Sequence, residues 1–185
     1  MVMAPPTTLS TQTTALLVVD MQDKLLPAIH EAEAVTAAVG RIIRACRVLE
    51  VPILVTEQYP AGLGPTCSAV KQLLGTVKPV EKLRFSACVE PVMAQLAKLG
   101  RTDILVVGIE AHVCVQQTVL DLIRAGHVPH LCADAVSSRR VLDRDTAIAR
   151  MRQAGAIITT VESALFEIQT QASGDTFKPL LKIVK

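Results

Sequence analysis

Three residues of this chain are of types that nucleophilic hydrolysis uses. They are Asp20 in LLVVDMQD, Lys82 in VEKLRFSA and Cys114 in VVGIEAHVCVQQTVLDL. Asp20 follows four apolar residues, where an acid is either a cap for the next turn or a functional carboxylate. Cys114 follows an apolar run and a short loop and opens a helical pattern. Backbone N–H groups and the positive end of the helix dipole there would bring a thiol down from about 8.5 toward neutrality, which suits a nucleophile. The bland alternative is a small buried hydrophobe at a strand–helix junction. Lys82 is either a solvated surface lysine or a cation held between two anions. Acid, lysine and cysteine at three strand ends form a nucleophile set, although each signal alone is weak.

The elements that must position them follow from apolar patterning. Ala15–Asp20, Ile53–Thr56, Asp103–Gly108, Val128–Cys132 and Ala156–Thr159 are short apolar runs and predict strands. His30–Leu49, Glu90–Leu99, Val113–Ala125, Asp143–Ala154 and Ser163–Thr170 predict helices, with Thr66–Leu74 a shorter one. Glu57–Pro65 (EQYPAGLGP) predicts a loop from its Gly and Pro content. Strands that are apolar throughout, alternating with amphipathic helices, imply a parallel sheet covered on both faces. The expected fold is therefore α/β, a three-layer α/β/α doubly wound domain with a mostly parallel six-stranded sheet. Residues 1–14, rich in Thr and Pro, predict a mobile N-terminal arm, and residues 15–185 a single domain. In such sheets ligands bind beyond the carboxyl ends of the strands, where all three candidates fall.

Composition narrows the function further. Half of the 185 residues are apolar, but the aromatic side chains are one Tyr, three Phe and no Trp. Disorder is excluded by this hydrophobicity. So few rings also argue against binding single-stranded nucleic acid by stacking. A net charge of +2 gives no footprint for a polyanion. No apolar run reaches the roughly 18 residues of a membrane span, and the first residues lack the pattern of a signal peptide. Five cysteines, irregularly spaced and without a Cys-x-x-Cys pair, fit a reducing compartment, so the expected location is cytoplasmic. Cys46 and Cys132 predict structural thiols. Cys67 falls in the loop after the second strand, near the entrance to the site. Cys88 either widens the pocket or adjusts packing.

Together these stretches resemble the isochorismatase-like cysteine hydrolases, over about residues 13–165. The resemblance is carried by Asp20-Met21-Gln22-Asp23, by Thr56-Glu57-Gln58-Tyr59-Pro60, by Lys82 with Phe85-Ser86-Ala87, and by Gly108 followed by Cys114-Val115. MQDK, TEQYPAGLGP and GIEAHVCV are most similar to the isochorismatase domain-containing subgroup. The resemblance implies a Rossmann-like fold and a catalytic triad at Asp20, Lys82 and Cys114. It also implies a non-proline cis peptide, mapped to Glu110–Ala111, and an oxyanion hole from the Ala111 and Cys114 N–H groups. The implied chemistry has Asp20 take the Cys114 proton and the thiolate attack an amide-type carbonyl. A thioester acyl-enzyme is then hydrolysed by water. The pocket implied is Gln22, Gln58, Tyr59, Phe85, Glu110 and His112, around a small and weakly polar substrate.

Departures from the family pattern matter as well. Metal-binding relatives in the nicotinamidase branch carry Asp and His after the second strand, where this chain has Glu57-Gln58-Tyr59-Pro60. No metal and no cofactor are therefore expected. His127 and His130, three apart across Pro129, point to opposite faces of a strand and make a poor zinc pair. Isochorismate-cleaving enzymes generally lack the nucleophilic cysteine, so Cys114 argues against that reaction. The competing reading is a catalytically idle binding or scaffold protein of the same fold. A homo-oligomer is expected in either case, with a small molecule as ligand and neither nucleic acid nor membrane as partner.

Overall fold

The central strand of the sheet explains the layering. β1 (Thr14–Val19) buries all six of its residues. Leu16 and Val18 face one apolar cluster, and Ala15, Leu17 and Val19 face another, as the two-residue period of a strand requires. In the computed structural model, which describes residues 8–185, the sheet runs β3-β2-β1-β4-β5-β6. Its other strands are β2 (Ile53–Gln58), β3 (Val80–Lys82), β4 (Asp103–Ile109), β5 (Val128–Ser137) and β6 (Ile157–Thr159). Every neighbouring pair is parallel, so the expected mostly parallel sheet is wholly parallel.

The helices are α1 (Ala32–Val48), the single turn α2 (Pro60–Leu63), α3 (Ser68–Leu74), α4 (Glu90–Leu99), α5 (Gln116–Arg124), α6 (Val141–Gln153), α7 (Val161–Gln169) and α8 (Phe177–Val184). Residues of α1, α3, α7 and α8 fill one cluster, and those of α4, α5 and α6 the other. This is the three-layer α/β/α arrangement expected. Winding reverses between β1 and β4, which opens a crevice above their carboxyl ends.

Several boundaries differ from the sequence reading, each for a local reason. β3 is three residues long with one buried, too short for periodicity to reveal. β5 runs five residues past Cys132, to Ser137, and its register shifts against β4 between Val106 and Gly108. The helix predicted from Val113 begins as a π turn, Ala111–Val115, before α5. α8 lies beyond the last helix that the sequence predicts, and its Leu180 enters the α1-side core.

The predicted arm needs partial correction. Residues 1–7 lie outside the described residues. Leu9 is fully buried and its N–H donates to Glu167 Oε1 at 2.8 Å. Thr13 O accepts the N–H groups of Thr102 and Asp103, and Thr14 already belongs to β1. Apolar burial and sheet hydrogen bonds thus fix a stretch whose polar composition resembled a loose end.

Gly108 allows the close approach at the switch point. It pairs with Val19, the residue before Asp20, at φ +120°, and a Cβ there would lie 2.0 Å from Val19 O. Neither backbone can yield without breaking the β1–β4 ladder. Gly108→Ala should therefore destabilise the fold by about 3 kcal/mol or more, measured by urea denaturation. A stability loss within the ordinary surface range would contradict this packing.

Candidate active site

β1 and β2 deliver the carboxylate. Asp20 follows β1 in the left-handed region at φ 50°, which Asp tolerates better than most residues. Its N–H donates to Thr56 O at 3.2 Å, and Gln22 N–H donates to Asp20 O at 2.8 Å. The sharp turn leaves the side chain in the crevice. There Asp20 Oδ1 accepts from Thr56 Oγ1 at 2.8 Å and Oδ2 accepts from Lys82 Nζ at 2.6 Å. Both charged side chains have no exposed surface.

Lys82 ends β3, and its ammonium is surrounded by oxygen. Besides Asp20, it donates to Gln58 Oε1 at 2.8 Å and Phe85 O at 2.9 Å, with Arg84 O at 3.3 Å. Such complete pairing is what a buried ammonium requires. Gln58 is itself fixed, because its Nε2 donates to Leu83 O at 2.8 Å.

Cys114 sits in the π turn between β4 and α5 and is 6% exposed. Its thiol interacts with both Asp20 and Lys82. Burial pushes the thiol up to about 12, the Asp20 carboxylate adds to this, and Lys82 opposes it. The expectation of a thiol drawn toward neutrality is therefore corrected. At rest desolvation outweighs the nearby cation, and the sulfur keeps its proton. Ala111 N–H has no acceptor among the described residues, whereas His112 N–H meets Ser138 Oγ and Val113 and Val115 N–H meet Glu110 O. The free Ala111 donor, beside the nucleophile, is where an oxyanion could be received.

The cis peptide lies one bond earlier than expected, at Ile109–Glu110 rather than Glu110–Ala111. The other predicted pocket residues divide. Tyr59 and Phe85 are each 52% exposed. Tyr59 lines a cavity of about 410 Å³ with Pro60, Ala61, Glu81, Lys82 and Leu83. Gln22 is fully buried and clamps the loop after β2: Nε2 donates to Gln58 O at 3.0 Å and Gly64 O, and Oε1 accepts from Gln58 N. Its amide is consumed by backbone, so it braces the site. Glu110 pairs with Arg139, whose Nε lies 3.2 Å from both carboxylate oxygens. His112 Nδ1 lies 2.9 Å from Ser138 Oγ. Both are held above β5 by its extension, which sequence reading had ended too soon.

Thr56, Arg139 and Ser138 were missed. Thr56 was legible only as the end of a strand, because its hydroxyl acquires meaning once β2 lies beside β1. Cys67 packs in the α1-side core with its N–H on Met21 O, so it is not an entrance residue. Cys46 and Cys132 are fully buried, and Cys88 Sγ donates to Thr118 O at 3.6 Å. His130 Nε2 lies 3.2 Å from Asp103 Oδ1 inside the sheet. Among the described residues no group of three or more His, Cys, Asp or Glu could hold a metal ion. A second cavity, of about 680 Å³, lies against α1 and α3 and is lined by none of the three triad candidates.

The arrangement can be set beside known proteins. The Isochorismatase domain profile matches residues 14–163, which spans every element bearing a site residue. The chain belongs to the isochorismatase family. It is 39% identical over 179 residues to isochorismatase domain-containing protein 2 of Danio rerio, covering 95% of this chain and 89% of that protein. It is 38% identical to the secreted isochorismatase effector Isc1 of Phytophthora sojae, covering 92% and 82%. Among solved structures, one described as a MAR1 ribonuclease from Caenorhabditis elegans superposes with a TM-score of 0.93 at 38% identity, covering 96% and 92%. The isochorismatase-like hydrolase fold is thus shared along nearly the whole chain. Among the described residues, no helix is long and apolar enough to cross a membrane.

The buried ion pair makes two measurable claims. Lys82→Met should cost about 3–5 kcal/mol in urea denaturation, because it strands a buried carboxylate. Adding Asp20→Asn should return most of that loss; an additive double variant would contradict the pairing. The second claim concerns the thiol. Alkylation of Cys114 by iodoacetamide should climb with pH through the alkaline range without levelling off, because burial holds the thiol well above its ordinary value. Asp20→Asn removes a group that raises the thiol, so its climb should move to lower pH. Lys82→Met removes one that lowers it, so its climb should move higher. Superimposable profiles by peptide mass spectrometry would contradict the arrangement.

Proposed function

We propose that this chain is a metal-independent cysteine hydrolase of a small amide, carbamoyl or related substrate, acting through a thioester acyl-enzyme. The observation that carries the proposal is the fully buried Asp20–Lys82 pair acting electrostatically on the Cys114 thiol. A buried carboxylate and ammonium are costly to fold around, and they adjoin the one cysteine that lies at a strand–helix junction of the crevice.

The steps follow from the contacts. Cys114 Sγ attacks the substrate carbonyl while its proton passes to Asp20, so the thiol never has to exist as a free thiolate at neutral pH. Lys82 holds the carboxylate oriented before the transfer. The carbonyl oxygen, now negative, is received by the N–H groups of Ala111 and Cys114. Collapse breaks the C–N bond, and the leaving nitrogen takes the proton from Asp20. A water molecule then loses a proton to Asp20 and adds to the thioester carbonyl. Release of the acid returns the proton to Cys114. Removing a general base or a single oxyanion donor typically costs about 10²–10³ in rate, so each group has a readable share.

The low exposure of Cys114 favours a small substrate, and the exposed Tyr59 and Phe85 beside the loop are candidates to contact it. Leu83, 76% exposed on the same loop, suits a face covered in a homo-oligomer. Five free cysteines suit a cytoplasmic location, although one relative is secreted. The nematode relative's description as a ribonuclease names a different chemistry, since cleaving a phosphodiester leaves no acyl group on a thiol.

Intact-mass measurement against a panel of small amides provides the test. A substrate should add the mass of its acyl group, and Cys114→Ala should lose both the adduct and turnover by at least about 10³-fold. Undiminished turnover in Cys114→Ala would sink the assignment. Absence of adduct and turnover across the panel, with Cys114 no more responsive to Asp20 and Lys82 than a core thiol, would favour the scaffold reading.

A further inference from the structure

Resting on the proposed Asp20–Lys82–Cys114 site, we propose that Thr118 is a positioning residue that locks the lysine loop to the nucleophile. Thr118 lies on α5, four residues after Cys114, and is fully buried. Its hydroxyl donates to Cys114 O at 2.7 Å. Back-bonding of this kind is common for a helical Thr. Less common is the second bond. Ala87 N–H, thirty-one residues away in sequence, donates to the same hydroxyl oxygen at 2.7 Å. One proton and one lone pair of Thr118 therefore connect two separate arms of the site.

The loop between Lys82 and α4 gives that connection its consequence. Its carbonyls at Arg84 and Phe85 face the ammonium. Its side chains at Leu83, Arg84 and Phe85 are exposed, so they offer the loop no core anchor. The anchor comes two residues later, where Ala87 and the fully buried Thr118 meet. A continuous chain of hydrogen bonds results: Lys82 Nζ to Phe85 O, along the backbone to Ala87 N, to Thr118 Oγ1 and to the carbonyl of Cys114, whose thiol Lys82 influences. Opening this chain at Thr118 unties the Arg84 and Phe85 carbonyls from α5, so their hold on the ammonium loosens while Asp20 and Gln58 keep theirs. Valine matches threonine in shape but supplies neither the proton nor the lone pair, and it leaves Ala87 N–H buried without an acceptor.

The test uses iodoacetamide as the probe and compares the pH profile of Cys114 alkylation in wild type, Thr118→Val, Thr118→Ala, Thr118→Ser and Lys82→Met. Lys82 holds the thiol down, so loosening it should raise the thiol further. Thr118→Val should alkylate about tenfold more slowly at pH 9, equal to about one pKa unit. Thr118→Ser keeps the hydroxyl and should stay within about twofold of wild type. A Thr118→Val protein that melts cooperatively with an unshifted profile overturns the proposal. If that variant does not fold, Thr118→Ala decides: a profile moved to higher pH supports the role of the hydroxyl and an unshifted one overturns it, while a shifted Thr118→Ser assigns the effect to packing and overturns it as well. Lys82→Met separates the two levels. A profile moved by Lys82→Met but not by Thr118→Val defeats the role of Thr118 alone. A profile moved by neither defeats the triad reading as well.

Discussion

The ion pair between Asp20 and Lys82 is the constraint around which the rest of this molecule is organised. Two full charges with no exposed surface are held 2.6 Å apart. In a low-dielectric interior the desolvation of such a pair can exceed its Coulombic attraction. It survives because every remaining valence is met: Thr56 for the second carboxylate oxygen, Gln58 and Phe85 O for the other ammonium protons. Apolar side chains of similar volume would hold the fold together as well. The pair is therefore better explained by what it does to the third group, the thiol beside it, than by any stability it contributes.

Meeting those valences dictates the topology near the crevice. Asp20 leaves β1, Thr56 and Gln58 lie on β2, and Lys82 ends β3, so three adjacent parallel strands must finish at one level. β3 needs only three residues for this, because its task is to end with Lys82 beside Gln58. On the other side of β1, Gly108 lets β4 approach closely enough to bring the π turn over the carboxylate. Gln22 then fastens the loop after β2 through backbone atoms alone. A parallel sheet buried on both faces supplies the rigidity, and the switch point between β1 and β4 supplies the opening.

The parts of this that could be read from sequence were those carried by local pattern. Apolar runs marked five strands, and apolar spacing marked the main helices. The residues at strand ends therefore pointed to Asp20 and Cys114 without any knowledge of pairing. Lys82 was harder, because three residues of edge strand leave no periodic trace. What remained hidden depends on contacts between distant segments. Gln22 and Gln58 are polar residues beside a site, and nothing in their spacing tells bracing from substrate contact; Gln22 spends its amide on Gln58 and Gly64. Glu110 met Arg139 only because β5 continues through a register shift that no run of residue types announces. Leu9 and Thr13 looked like part of a loose arm until α7 and the segment before β4 supplied their partners.

The charge state of Cys114 was the most instructive failure of local reasoning. Helix N-terminus and nearby lysine both argue for a thiolate when taken alone. The fold adds two opposing facts: the sulfur is buried, and the carboxylate that anchors the lysine also faces it. An isolated Lys82 would draw the thiol down. With Asp20 and burial acting against it, Lys82 lowers the thiol but does not prevail. Had the site been built to store a thiolate, the carboxylate would be a poor neighbour. The proposed mechanism gives that neighbour a use, because in it Asp20 takes the proton from sulfur as the carbonyl arrives and passes it to the leaving nitrogen. The raised thiol and the buried carboxylate are thus two aspects of one arrangement. On the proposed reading, it keeps the sulfur inert toward chance electrophiles and ties its activation to a substrate that fits.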